Sequence, residues 1–285
     1  MLEGQEGIRW DEWLALALAA EGAGLDALFR SDHYASIVRG DPTGSLDAWT
    51  TLAALAARTE RIGLGTLVSP VTFRPASVLA KSVVTAAEIS GGRVELGIGA
   101  GWFEAEHRAY GFPFMTTRER LDELDRQLAE ITRQWTDAPE VWPKPHPRPR
   151  IIVGGNAKPR TVRAAVRFAD EYNTIMPSPA EARERCEIVR DAASAAGREP
   201  LTFSMMAGCV VGVDERDYRR RLEAWRAFTG RDGLPEVAGT VAQACETLRA
   251  YAEAGVERIM LQHLLHRDTE MVALLGEVAR ALANA

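Results

Sequence analysis

Asp32 and His33 stand side by side just past Leu25–Phe29, a mostly apolar run with the length of a buried strand. Histidine changes its charge near neutral pH and can give or take a proton. A neighbouring carboxylate can orient the ring or raise its pKa. The pair therefore predicts proton transfer or a contact with a cofactor, and the alternative is a solvated or capping histidine.

A glycine-rich stretch, LGIGAGWFEAEH, follows another apolar run and contains Gly97, Gly99 and Gly101. It is similar to a dinucleotide-binding fingerprint, but Trp102 stands where the third glycine is needed. We therefore reject a dinucleotide fold. Small residues at a strand end still allow a flat or bulky group to approach the backbone, and a tight turn is the alternative.

The stretch IIVGGNAKPRTVRAA places Gly154, Gly155 and Asn156 before the start of a predicted helix. Backbone N–H groups at such a point favour an anion, and Lys158 and Arg160 add positive charge. This pattern predicts a phosphate site. The alternative is that Asn156 simply caps the helix.

Two further features carry less information. Ser69 and Pro70, between a predicted strand and a predicted helix, suggest a rigid wall. His263 and His266 form an HxxH pair, but no further ligand cluster accompanies them, so we expect no metal site.

Short apolar runs alternate with longer amphipathic segments along the chain, as in a parallel α/β protein. Seven runs predict strands, beginning near residues 25, 61, 93, 151, 169, 203 and 258, and the residues before Gly4 supply the stub of an eighth. Eight such units predict a (β/α)8 barrel in one domain, 1–285, and a doubly wound open sheet is the alternative. The predicted helices are Glu12–Glu21, Leu46–Thr59, Pro75–Ser90, Arg118–Trp135, Lys158–Arg167, Ala180–Ala196, Glu215–Phe228, Val237–Ala254 and Thr269–Ala283.

Polar and small residues follow the predicted strands, which places them at the C-terminal mouth of a barrel, where active sites are built. They are Asp32, His33, Ser69, Thr72, Gly99, Gly101, Trp102, Gly154, Gly155, Asn156, Asn173, Gln262 and His263.

Composition excludes several classes of function. The net charge is −6 and the pI about 5.5, which argues against nucleic-acid binding. The three cysteines are far apart and form no CxxC motif, as expected in a reducing cytoplasm. There is no basic-then-apolar leader and no apolar run of 18 residues, so we expect a cytoplasmic protein without a membrane partner.

The motifs described above also resemble the bacterial-luciferase-like superfamily of flavin- and deazaflavin-dependent oxidoreductases, and most closely its branch that uses coenzyme F420. The resemblance covers most of Leu28–Asn173. The matching pieces are LFRSDHY, LAALAARTERIGLGTLVSPVTFRPASVLAK, ISGGRVELGIGAGWFEAEHRAYGFPF and PRIIVGGNAKPRTVRAAVRFADEYN.

The resemblance implies a (β/α)8 barrel with the cofactor at its mouth, and a catalytic role for Asp32 and His33 at the deazaflavin. It implies a non-proline cis peptide behind the ring, within Leu67-Val68-Ser69. Because relatives are often dimers, it also implies that this protein is a homodimer. The cofactor-binding residues that it implies are Leu67, Val68, Ser69, Gly99, Ala100, Gly101 and Trp102 near the ring, and Gly154, Gly155 and Asn156 at the phosphate.

This chain departs from the family pattern in three places. Trp102 stands where some F420-dependent sugar-phosphate dehydrogenases have a glutamate, which argues against that reaction. The first strand is shortened, and the insertion before the fifth strand is reduced to TDAPEV, Thr136–Val141, so we expect a small lid.

We therefore expect an oxidoreductase that uses F420 to exchange a hydride with a small organic substrate, with His33 handling the proton and Asp32 orienting it or contacting the ring. The alternative within the superfamily is an FMN-dependent monooxygenase that uses O2 and a partner flavin reductase. A third possibility, from another class, is a flavin-binding protein without catalytic activity.

Overall fold

Parallel strands form the centre of the fold in the computed structural model, which describes residues 1–38 and 44–283. The strands are β1 (Ala27–Arg30), β2 (Gly63–Thr66), β3 (Ser69–Pro70), β4 (Val94–Gly99), β5 (Arg150–Gly154), β6 (Glu171–Ile175), β7 (Thr202–Gly212), β8 (Val237–Thr240) and β9 (Arg258–Gln262). The helices are α1 (Trp10–Gly22), α2 (Ala48–Ala56), α3 (Ala76–Ser90), α4 (Glu104–Tyr110), α5 (Thr117–Thr136), α6 (Pro159–Phe168), α7 (Pro179–Ala195), α8 (Glu215–Thr229), α9 (Val241–Glu253) and α10 (Thr269–Ala283).

The sheet closes on itself through the first two residues of the chain. Strands β1, β2, β4, β5, β6 and β7 lie side by side in this order, and β9 pairs with β7. Leu2 then bridges to β1, because its N–H donates to Phe29 at 2.9 Å and its carbonyl accepts from Ser31 at 3.1 Å. On the other side the N–H of His263 donates to Met1 at 2.9 Å. The predicted (β/α)8 barrel with a shortened first strand is confirmed, and an open sheet is excluded.

Two elements differ from the sequence-based expectation. The segment Val237–Ala254 was expected to be one helix, but its first four residues form β8, which pairs with the end of β7 beyond the barrel. The helix α9 begins only at Val241, where Thr240 and Gln243 form a capping box. The short helix α4 lies within the glycine-rich stretch and was not predicted.

The segment 137–149 between α5 and β5 contains no helix or strand. This agrees with the expected extended, proline-rich connection and with a reduced insertion over the mouth. Lys144 attaches it to the end of α5 by donating to the carbonyl of Gln134 at 2.7 Å. Trp142 in the same segment is exposed.

The helix α5 illustrates how the surrounding helices are built. Its start has a capping box between Thr116 and Glu119, which satisfies orphan backbone N–H groups. Leu124, Leu128 and Ile131 recur at helical spacing and are almost fully buried against the barrel. Burial of each such side chain contributes about 1.5–3 kcal/mol, so this face holds the helix in place.

Ion pairs close the lower end of the barrel, away from the mouth. Arg258 of β9 donates to both carboxylate oxygens of Glu95 at 2.7 Å and to Glu171 at 3.0 Å. These side chains fill the interior at that end, so the open end is the mouth. Among the described residues no helix has the length and apolar character needed to cross a membrane.

Candidate active site

His33 is held at the mouth by a carboxylate that is distant in sequence. Its Nδ1 lies 2.9 Å from Oε2 of Glu106 in α4. The Glu106 side chain has no exposure, whereas that of His33 is 15% exposed. The other oxygen of Glu106 accepts from the backbone N–H groups of Tyr34 and Ala35, the latter at 2.9 Å. Glu106 therefore fixes both the ring and the loop that carries it.

The contact sets the protonation of the imidazole. Burial disfavours the charged ring, but the hydrogen bond and the charge of Glu106 outweigh it and raise the pKa of His33 above its usual value. Burial likewise opposes ionisation of Glu106, yet His33 and the backbone N–H groups lower the pKa of that carboxyl. Glu106 is thus ionised and accepts from Nδ1–H, which leaves Nε2 of His33 to exchange a proton at the mouth.

The helix α4 is positioned by its own buried histidine. Nε2 of His107 accepts from the Thr72 hydroxyl at 2.6 Å, and Nδ1 donates to the carbonyl of Phe103 at 2.8 Å. Tyr110 at the end of α4 donates to the carbonyl of Tyr34 at 3.0 Å. These bonds attach α4 to the loops after β1 and β3, so the distance between His33 and Glu106 is fixed from both sides.

Asp32 is buried and bound to a scaffold rather than to its neighbour. Its carboxylate accepts from the Ser69 hydroxyl at 2.7 Å and from Arg74 at 2.6 Å. Trp49 donates to the same Ser69 oxygen at 3.0 Å. Orientation of His33, which the sequence suggested for Asp32, is supplied by Glu106 instead. A contact between Asp32 and a cofactor stays a prediction.

The non-proline cis peptide that the resemblance implied is present between β2 and β3. The peptide between Leu67 and Val68 is cis and contains no proline. The Leu67 side chain packs inside the barrel with Ile152 and Met206. Val68 is half-buried and stands over the glycines of the neighbouring strands.

Gly99, Gly101 and Gly154 require the absence of a side chain for different reasons. A Cβ on Gly99 would meet Val68 Cγ2 at 2.7 Å, so glycine at this position makes room for the Val68 side chain. Gly101 has φ +78° and needs to be glycine for its backbone conformation. A Cβ on Gly154 would make only an ordinary contact with Val68, at 3.5 Å. Packing within the chain therefore does not require glycine at position 154, whereas the close approach of a ligand to the backbone would require it.

Two aromatic residues border His33 on the side of β4. Trp102 is 61% exposed and meets the His33 ring edge-on at a centroid distance of 5.8 Å. Phe103 stacks on Trp102 at 5.2 Å. Ala100 joins Gly99 to Gly101 in the same loop. An exposed indole beside an imidazole is suited to a planar ligand.

The loop after β5 is shaped by Tyr172. Its hydroxyl accepts from the N–H of Ala157 at 2.8 Å, and a Cβ on Gly155 would approach this hydroxyl to 2.8 Å. The N-cap of α6 is Lys158, without a side-chain bond, so the alternative that Asn156 caps the helix is wrong. Asn156 is exposed at the mouth, before the free N–H groups of the first helical turn.

Besides the exposed Lys158, positive charge at this loop comes from Arg185, which the sequence did not reveal and which also pairs with Glu181 at 3.4 Å. Arg185 of α7 donates to Thr174 at 2.7 Å and to the side-chain oxygen of Asn156 at 3.3 Å. Arg160, which was expected to add charge, is paired with Asp122 of α5. Arg185 is therefore the arginine directed at the predicted phosphate loop.

His33 contacts Trp102, Val68 lies beside Gly99 and Gly154, and the segment from Gly99 to Trp102 connects the two groups, which together form the candidate wall of the mouth. Ser69 reaches this wall through Asp32. Gln262 points into the barrel, whereas His263 packs beside His266 at a ring-centroid distance of 6.5 Å. Glu106 and Arg185 were missed. The acidic cluster of EAEH gave the only sequence signal for Glu106, and the sequence held no specific signal for Arg185.

Comparison with known proteins identifies the family of this chain. The family model described as luciferase-like monooxygenase matches residues 1–283. The F420-dependent hydroxymycolic acid dehydrogenase of Mycobacterium tuberculosis is 31% identical over 247 residues, which is 81% of this chain and 67% of that protein.

Solved structures share the fold at lower identity. An F420-dependent secondary alcohol dehydrogenase, in complex with an F420-acetone adduct, has a TM-score of 0.81 and 18% identity over 99% of this chain and 98% of its own. The oxygenating constituent of 3,6-diketocamphane monooxygenase of Pseudomonas putida, in complex with FMN, has a TM-score of 0.77 and 18% identity over 97% and 96%.

Proposed function

Since the chain belongs to the luciferase-like monooxygenase family, we propose that it is an F420-dependent oxidoreductase that exchanges a hydride with a small organic substrate. The observation that carries the proposal is the bond between His33 and the buried Glu106, at 2.9 Å, beside the exposed Trp102. It provides a proton donor next to a surface for a planar ring. Bound F420 supplies hydride chemistry at C5 of its deazaflavin.

The residues of this chain have separate tasks in the proposal. Nε2 of His33 gives a proton to the substrate oxygen during reduction, or collects it during oxidation. Glu106 stabilises the imidazolium and keeps the proton on Nδ1. Asp32 and Arg74 hold the loop that carries His33.

The proposed cofactor site consists of the wall already described. Its members near the ring are Leu67, Val68, Ser69, Gly99, Ala100, Gly101 and Trp102. Gly154, Gly155 and Asn156 hold the phosphate, with Arg185 beside them. The fit rests on Gly154, where a Cβ would make only an ordinary contact with Val68, so that packing within the chain does not explain the glycine.

An FMN-dependent monooxygenase that uses O2 and a partner reductase is the second candidate. The FMN complex of the 3,6-diketocamphane monooxygenase constituent, at a TM-score of 0.77, supports it. The F420 proposal has the stronger support, since the 31% identical relative is F420-dependent by its name. A homodimer and a cytoplasmic location stay predictions.

Titration of the purified protein with F420 and with FMN tests the proposal. Trp102 belongs to the proposed site, so the true cofactor is expected to quench tryptophan fluorescence with a saturable curve. The variant Trp102→Leu should lose most of that quenching, whereas Trp142→Leu, in the segment before β5, should retain it. Tight FMN binding without F420 binding decides for the monooxygenase, and binding of neither contradicts both.

A further inference from the structure

We propose that Glu3 binds a hydrogen-bond donor of the substrate, O–H or N–H, on the wall of the mouth that faces the glycine-rich wall. The assignment rests on the proposed function for the existence of a substrate, but its geometry is independent of the cofactor. Gln5 and Gln262 hold the Glu3 carboxylate in place.

The direction of Glu3 follows from the alternation of side chains along the strands. Met1, Phe29 and Met260 belong to the apolar cluster inside the barrel. Side chains two residues further along a strand point to the same face. Glu3 and Gln262 therefore project into the barrel one layer above this cluster, nearer the mouth.

The same layer is polar, buried and internally bonded. Glu3 is 3% exposed and Gln262 5%. Nε2 of Gln262 donates to Oε1 of Glu3 at 2.6 Å, and Nε2 of Gln5 donates to Oε2 at 2.8 Å. The Ser31 hydroxyl donates to the Gln5 oxygen, which fixes the amide that holds Glu3.

Glu3 is a buried carboxylate. The charges of the Met1 ammonium, Arg30 and His33 act on it at longer range, and its direct bonds to described side chains come from amides. Each of its oxygens has one amide donor, and a carboxylate oxygen accepts two bonds. Burial of a carboxylate is costly unless its hydrogen bonds are completed. A donor on a ligand in the mouth completes them.

Strand order places this carboxylate opposite the predicted cofactor site. In the closed barrel the stub Met1-Leu2 lies between β9 and β1. It is four strand positions away from β5 in either direction, so Glu3 faces Gly154 across the barrel. Gln262 of β9 faces Gly99 of β4 in the same way. A substrate beside the cofactor wall therefore has Glu3 on its far side.

Apolar side chains also contribute to this half of the barrel, beside polar ones such as Asn173 of β6, which contacts the sulfur of Met260. Met206 of β7 and Met260 of β9 belong to the interior cluster, and Ile175 at the end of β6 is 48% exposed. The matching substrate has an apolar body with one donor group, separate from the carbon that reacts. Its reacting oxygen lies at His33, and its donor lies at Glu3.

Three small ketones test the assignment on the protein saturated with oxidised F420, which prevents turnover. They are 4-hydroxy-2-butanone, its isostere 2-pentanone, and 4-methoxy-2-butanone, which accepts but does not donate. Dissociation constants are measured by saturation-transfer NMR. The wild type is expected to bind the hydroxyketone about tenfold more tightly than either other ketone, as for a hydrogen bond to a charged group.

Glu3→Gln is expected to reduce that ratio to near one. Glu3→Asp keeps the charge but withdraws it by one methylene, so an intermediate ratio is expected, and this variant decides if the first does not fold. The matched control is Glu12→Gln, because Glu12 also accepts one donor on each oxygen, from the N–H of Arg9 and from Arg267, but lies on α1. It should leave the ratio unchanged.

Equal affinity of the wild type for the three ketones, including binding of none, overturns the assignment, as does a ratio that survives in Glu3→Gln. The proposed function fails separately, in the cofactor titration. If F420 does not bind, the same ketone series on the FMN-saturated or cofactor-free protein still decides the role of Glu3.

Discussion

Nδ1 of His33 lies 2.9 Å from Oε2 of Glu106, although 73 residues separate them in the chain. One partner follows β1 and the other lies in a seven-residue helix after β4. The carboxylate is shielded from solvent, whereas the imidazole reaches the mouth. A buried base of this kind keeps the exposed ring in one tautomer and favours its protonated form.

Replacement of Glu106 by Gln is expected to lower the pKa of His33. The charge that raises this pKa is removed, and the burial that lowers it remains. NMR titration of the imidazole measures the change without cofactor or substrate. In the reducing direction the protonated ring is the active form, so activity is lost as pH rises through the pKa, and this limb should move to lower pH.

Glu104→Gln is the control, since Glu104 lies on the same helix and forms an ion pair with the exposed Arg108. It should leave the titration of His33 in place. An unchanged His33 titration in Glu106→Gln would show that the carboxylate does not control the ring.

Replacement of His33 by Ala is expected to reduce turnover by roughly 10²–10⁴-fold, the usual contribution of a general acid or base. The affinity for the cofactor should change little, because Val68, Gly99 and Gly154 of the wall are untouched. Stopped-flow turnover and the fluorescence titration measure the two quantities. Full turnover in the variant would remove His33 from the mechanism.

Gly99→Ala is expected to weaken cofactor binding by displacing Val68, because the new Cβ would approach Val68 Cγ2 to 2.7 Å. The double variant Gly99→Ala/Val68→Ala removes that contact and should restore part of the affinity. Gly22→Ala, with no atom within 4 Å of the new Cβ, is the control. Equal cofactor affinity in wild type and Gly99→Ala would contradict a site at this wall.

Much of the fold was predictable because each barrel strand is a short apolar run between amphipathic helices. The start of β4, for example, was placed within one residue, at Val94 against a predicted Arg93. The helix α4 was missed because seven residues of mixed polarity carry no periodic pattern. The first four residues of the predicted helix Val237–Ala254 form β8, since β7 extends beyond the barrel and offers them an edge.

The sequence predicts where the residues of the candidate site lie better than it predicts their hydrogen-bond partners. Strand ends place His33 and Gly99 at the mouth, and the cis peptide falls at Leu67-Val68 as the resemblance implied. Pairing depends on side chains that meet only after closure of the barrel. The neighbour in sequence, Asp32, bonds to Arg74, 42 residues away, and the sequence alone does not contain that distance.

Arg74→Met is expected to lower the free energy of unfolding by about 3–5 kcal/mol, because it leaves the buried Asp32 charge without its cation. Arg108→Met, which removes an exposed pair with Glu104, should cost less than about 1 kcal/mol. Urea unfolding at neutral pH measures both. Equal losses in the two variants would mean that the pair between Arg74 and Asp32 is not special.

Acidification is expected to destabilise the fold through His263, which is buried and has no hydrogen-bond partner for either ring nitrogen among the described side chains. Burial lowers its pKa to about 3. Between pH 6.5 and 3 the unfolded chain therefore binds a proton that the native state does not. The stability is present above pH 6.5 and is lost as pH falls, by about 1.3 kcal/mol between pH 7 and 5.5 for this group.

Urea unfolding at pH 7 and 5.5 isolates that contribution when wild type is compared with His263→Gln. The variant loses stability at both pH values through altered packing, but its loss between the two should be smaller than that of the wild type by about 1.3 kcal/mol. His146→Gln, at an exposed position in the segment before β5, should behave as wild type. If the free energy of unfolding falls by the same amount in His263→Gln and in the wild type, the pH dependence comes from other titrating groups, because glutamine binds no proton in this range.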